Sequence, residues 1–178
     1  MNDESSSPSE YLRDIIGRRA EGFGDIPIYN IVVEEGSIMG ADMELHEVTD
    51  DHGSFYGDYG VSKEAPEEVK DRVEGFVREF DAEIGACFHN ALRVFEEVEG
   101  AVYVEGHALN GTGVFHHAWN LVDGHVVDTT LSGKAYYGVR VDDETAGRCA
   151  QLGHEENVWG VFTNYADNHR FLTESGYQ

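Results

Sequence analysis

The chain has 178 residues, enough for one domain with a sizeable core, and 35 acidic residues against 12 basic ones give it a formal net charge of −23. Phosphate and anionic-lipid contacts need clustered lysine and arginine, so this balance excludes nucleic acid and anionic membranes as expected partners. Only Lys63, Lys70 and Lys134 are lysines. Acid excess along the whole length reads as a surface adapted to high salt, where self-repulsion is screened.

Residues 1–7 are acidic and serine-rich without an apolar pattern, and read as a disordered tail. Residues 8–178 read as a single domain. Residues 8–19 form a helix, with Ser7 placed to cap it and Pro8 at its first position. Residues 26–33 are strand-like, and 37–48 hold one or two further strands. Residues 50–59, rich in Asp, Gly and Tyr, read as a solvated loop; they lack the pattern of a calcium-binding loop. Residues 64–81 form an amphipathic helix with Val69, Val73, Phe76, Val77 and Phe80 on one face.

The next stretch carries the chemistry. Gly85-Ala86 breaks the chain, and Phe88, Ala91, Leu92 and Phe95 then fall at the spacing of one helix face. Cys87 therefore lies in the first turn of a helix, where free N–H groups and the positive dipole end favour a thiolate. A cysteine there is either a nucleophile or a small buried apolar group. Residues 101–109 alternate as a strand and 110–113 turn it back. That loop does not fix which face Glu105 takes. Asn110-Gly111-Thr112 fits both a plain turn and a glycosylation acceptor.

Residues 114–122 and 125–131 are β-like runs around Asp123-Gly124, the dipeptide of a two-residue hairpin. That turn sets Val122 opposite His125, Leu121 opposite Val126 and Trp119 opposite Asp128. His117, Trp119 and Asp128 then share a face, with His117 diagonal to Asp128 and within reach of it, while His116 and His125 point the other way. The expected constellation is a Cys87 nucleophile, a His117 base and an orienting Asp128. His116 with His125, joined by His107, is the alternative metal-binding set on the outer face; no metal or cofactor is assigned.

Cys87 at a helix start, His117-Ala118-Trp119 and Asp128-Thr129-Thr130 resemble the core of the transglutaminase-like branch of the papain-like cysteine enzymes. Cys-x-x-Asn-Ala, Tyr-Val-Glu-Gly, His-Ala-Trp and Val-Asp-x-Thr in series resemble small bacterial and phage proteins of that type. The likeness spans about residues 85–138. It implies an α+β fold with a papain/transglutaminase-like core, in which the helix bearing Cys87 packs on an antiparallel sheet bearing His117 and Asp128. It also implies a peptide or amide substrate, with Trp119, Tyr103, Glu105 and Asn90 as substrate-binding or cleft residues. Asp128-Thr129-Thr130 departs from the Asp-Pro-Thr common at that point, and no upstream glutamine completes an oxyanion hole.

Beyond the hairpin, residues 135–141 read as a strand joining the sheet and 142–152 as a helix containing a structural Cys149. Residues 164–174 read as a last helix packing Phe171 and Leu172. Two distant cysteines make no disulfide framework, and no apolar run reaches membrane-span length. The expected setting is a halophile's reducing cytosol, in an archaeon or its virus, with a virion as the other setting. Two further readings stand beside the enzyme: an inactive structural or partner-binding protein on the same scaffold, a virus component among them, and a metal-binding protein.

Overall fold

The structure is a computed structural model, and it describes residues 6–23, 26–39, 42–83 and 85–162. Among these the chain forms five helices and one seven-stranded, wholly antiparallel sheet, curled into a half-barrel. In order these are α1 (Pro8–Gly22), α2 (Pro27–Glu35), β1 (Ser37–Met39), β2 (Met43–Thr49), β3 (Phe55–Ser62), α3 (Glu67–Glu79), α4 (Cys87–Glu97), β4 (Ala101–Asn110), β5 (Gly113–Val122), β6 (His125–Asp128), β7 (Ala135–Arg140) and α5 (Asp143–Glu156). The strand order is β1-β7-β4-β5-β6-β3-β2. The mixed α and β composition agrees with expectation; the papain/transglutaminase-like core is taken up below as a proposal.

Local chemistry explains most boundaries. Ser7 closes a capping box at α1: its hydroxyl accepts from Glu10 N while the Glu10 carboxylate accepts from Ser7 N. Ser7 thus belongs to the folded domain rather than to a tail, while residues 1–5 lie outside the described residues. Asp142 caps α5 through Thr145 N, and Asn157 in the left-handed region ends it. The last helix expected at 164–174 lies outside the described residues.

Two expectations are corrected. The stretch read as a strand at 26–33 is helix α2. Ile28, Ile31 and Val32 are buried at i, i+3 and i+4, and Pro27 opens the first turn, so the helical spacing overrides the β-preference of the branched residues. The loop read at 50–59 is only a tight turn, because Phe55 onward forms β3 against β2. Asp50 Oδ1 accepts from His52 N and Ser54 N, and Gly53 takes φ +81°. The glycines that suggested a loop are close-approach positions within the strand: a Cβ at Gly57 would meet Val77 Cγ1 at 3.0 Å, and one at Gly60 would meet Leu131 O at 3.2 Å.

Three apolar clusters fill the interior. One joins α1, α2, α4, α5 and β7 around Leu12, Ile16, Leu92 and Phe162. A second sits between α3 and the β3/β6 side, and a third packs Trp119, Leu121, Val126 and Tyr136 on the sheet. Helix α4 docks on β5, where Asn120 Nδ2 donates to Ala91 O at 2.9 Å. That contact fixes where its N-terminus, and hence Cys87, is placed.

Candidate active site

Gly85 adopts φ +82°, a left-handed turn that a side chain would strain, and delivers the chain into α4 at Ala86. Ala86 provides no side-chain cap, so the first turn of α4, which Cys87 opens, has no capping oxygen from that residue. Cys87 is the first helical residue and is 8% exposed.

The hairpin register is as the Asp123-Gly124 turn dictates: Val122 pairs with His125, Leu121 with Val126 and Asn120 with Val127. The ladder ends there, one step before Trp119 and Asp128. Asp128 ends β6 because its own side chain takes over the backbone: Oδ1 accepts from Thr130 N at 2.9 Å and Leu131 N at 3.1 Å. His117 therefore lies on a stretch of β5 that pairs with β4 through Gly106 on one side and has no recorded β6 partner on the other. Its Nε2 meets Asp128 Oδ2 at 2.6 Å, and both side chains are 1% exposed. Cys87 lies near enough to His117 to help raise its pKa, and Nδ1 is the ring nitrogen that Asp128 does not engage.

Loss of water pulls the His117 pKa down. The charge and hydrogen bond of Asp128, followed by the contacts with Cys87, outweigh that and raise it well above the ordinary imidazole value. The Asp128 carboxylate thus favours the protonated imidazole. Cys87 and Cys149 are both free thiols. Burial and the nearby Glu105 charge push Cys149 up to about 12.

The four residues expected to line a cleft are all interior. Trp119 is 1% exposed and stacks at 14° over the His117 ring with 6.2 Å between centroids, so it roofs the His–Asp pair. Its indole lies against Gly138, where no Cβ would fit. Asn90 is fully buried; its Nδ2 donates to Glu83 O and Thr130 Oγ1, tying the loop after Asp128 to the chain before Cys87. Tyr103 and Glu105 are fully buried, and Glu105 accepts from Tyr103 Oη, Val161 N and Phe162 N at 3.0, 2.6 and 2.9 Å. Their β4 positions turn them toward Ala118 and Asn120 rather than His117. They anchor the backbone at 161–162 and do not form a cleft wall.

One residue of the site was missed in this role. Tyr136 Oη donates to Asp128 Oδ2 at 3.0 Å from β7, with β4 and β5 between that strand and β6. No sequence spacing signals this contact, because it depends on β7 pairing with β4. A cavity of about 310 Å³ borders the site through Thr129, Thr130, Ala82 and Glu83, with Phe55 and Tyr56 exposed on its rim.

The alternative histidine set does not assemble. His107 and His116 are a cross-strand pair with rings 4.5 Å apart, covered by Tyr29 of α2, while His125 lines a separate hollow beside Asp42 and Glu64. Among the described residues no group of three His, Cys, Asp or Glu is arranged to hold a metal ion. Nor is any helix among them long and apolar enough to cross a membrane. The chain matches no protein-family model, no curated protein and no solved structure.

Proposed function

We propose that this chain is a thiol-dependent acyl-group enzyme of the transglutaminase-like type, acting as a peptidase, amidase or acyl transferase. One observation carries the proposal: a buried His117 is hydrogen-bonded to Asp128 through Nε2, with Cys87 beside it at an uncapped helix N-terminus. This is the arrangement of nucleophile, base and orienting group that covalent catalysis needs.

In the proposed cycle His117 takes the thiol proton as the Cys87 sulfur attacks the substrate carbonyl carbon, and the carbonyl π electrons move to oxygen. The backbone N–H of Cys87 and the α4 dipole stabilise that oxyanion. As the tetrahedral intermediate collapses, the bond to the leaving amine breaks and His117 passes its proton to the departing nitrogen. A thioester on Cys87 remains. Water, or an amine acceptor in the transfer variant, then attacks the thioester while His117 takes its proton, and the C–S bond breaks. Asp128 stays a carboxylate throughout and holds the imidazole in register. Trp119 keeps water from the His117–Asp128 bond.

The burial of Cys87, 8% exposed, favours a second reading, in which the same scaffold serves as an inactive partner-binding protein, a virion component among the options. An activated acyl ester separates the two. The enzyme reading predicts that the acyl group appears on Cys87 and not on Cys149, and that Cys87→Ser abolishes its turnover. Equal, slow acylation of both thiols would leave the partner-binding reading. The acidic surface supports a high-salt cytosolic setting, and it leaves peptides and amides as better partners than nucleic acid or anionic membranes.

A further inference from the structure

The Asp128 carboxylate is held by four donors. Thr130 N and Leu131 N donate to Oδ1, and His117 Nε2 and Tyr136 Oη meet at Oδ2. The Tyr136 oxygen in turn accepts Gly133 N–H at 2.7 Å. A phenol has one proton and the carboxylate has none, so the direction of the chain is fixed: Gly133 N–H donates to Tyr136, and Tyr136 O–H donates to Asp128. Tyr136 is fully buried. A Cβ on Gly133 would come within 2.7–2.9 Å of the phenol's Cζ, Cε2 and Oη, so the loop after Asp128 is folded directly onto this ring. The Tyr136 ring also packs against Trp119, with centroids 5.0 Å apart.

We propose that Tyr136 is a positioning residue of the site. Its hydroxyl, fixed by Gly133, sets the rotation of the Asp128 carboxylate so that Oδ2 is presented to His117. Two backbone donors locate Oδ1, but that oxygen alone does not decide where Oδ2 points. The hydroxyl supplies the second constraint from a strand that does not touch β6. A supporting network of this kind locks the orienting group before the reacting group is needed. The catalytic meaning of this role rests on the proposed function; the hydrogen-bond role does not.

The test is Tyr136→Phe, which removes one oxygen and keeps the ring. The first readout is the proton resonance of His117 Nε2–H in histidine-labelled protein. It is expected far downfield in the wild type and shifted or broadened away in the folded variant. The second is iodoacetamide alkylation of Cys87 near pH 7, expected to fall by roughly tenfold, the scale of one lost hydrogen bond. The third is non-additivity: in an Asp128→Asn background, Tyr136→Phe should change alkylation no further. A folded Tyr136→Phe chain with wild-type resonance and alkylation would overturn the proposal, leaving Tyr136 a packing residue. If the variant does not fold, the wild type decides. Its Tyr136 Oη proton should be visible, slowly exchanging and displaced by Asp128→Asn, and a fast-exchanging hydroxyl would overturn the assignment. Should wild-type Cys87 prove unreactive, the enzyme reading fails while the resonance still tests Tyr136.

Discussion

Acidification should destabilise this fold through two rings outside the candidate site. His107 is 1% exposed with neither nitrogen partnered, and His116 beside it has an unpartnered Nε2. Burial lowers both, His107 to about 2 with help from the adjacent His116 and from Arg19, and His116 to about 4 with help from Arg19. Tyr29 of α2 covers both rings and offers no charge to offset them. Between about pH 4 and the ordinary imidazole value of 6.5 the unfolded chain therefore binds more protons than the folded one, so stability falls as pH falls. At pH 5 each ring costs about 1.4 kcal/mol per pH unit over about 1.5 units, about 2 kcal/mol apiece and about 4 together. The carboxylates titrate in the same range, so the readout is a difference. Wild type and a His107→Leu/His116→Leu double variant are unfolded in urea at fixed ionic strength at pH 7 and pH 5. At pH 7 the variant should be near neutral or stabilised, because unpaired polar atoms give way to apolar ones. Between pH 7 and pH 5 the wild type should lose about 4 kcal/mol relative to the variant. Parallel pH dependences in the two chains would refute the reasoning.

Glu105→Leu should leave Tyr103 Oη, Val161 N and Phe162 N without their buried acceptor and cost at least about 3 kcal/mol by denaturant titration. A loss under about 1 kcal/mol would show that water replaces the carboxylate. Gly138→Ala places a methyl against the Trp119 indole and 2.8 Å from Glu105 O, and should lower stability by about 1–3 kcal/mol with a visible change in near-UV circular dichroism. An unchanged spectrum and melting temperature would mean the roof over His117 is looser than this packing implies.

Much of the candidate site was legible because one turn fixes it. Asp123-Gly124 sets the β5/β6 register, and the period-2 alternation then selects His117 over His116 and His125 as the partner of Asp128. The position of Cys87 followed from helix periodicity and the Gly85 break. Contacts that depend on non-consecutive strands were not legible. Tyr136 reaches Asp128 only because β7 pairs with β4, and Glu105 turned out to hold residues 161–162, some 56 positions along the chain. α2 was misread because branched residues favour strands locally, while docking on α1 and β7 rewards their helical spacing. β3 was misread because its glycines mark close packing against α3 and Leu131 rather than a free loop.

The most direct test of the central claim is the pH dependence of iodoacetamide alkylation at Cys87, with Cys149 as the internal control, in wild type and His117→Ala. The Cys87–His117–Asp128 account predicts rapid labelling of Cys87 well below the free-thiol value of about 8.5, loss of that advantage in His117→Ala, and an inert Cys149. Slow labelling that follows an ordinary thiol titration and ignores the mutation would contradict it, and the scaffold would then be read as a binding protein.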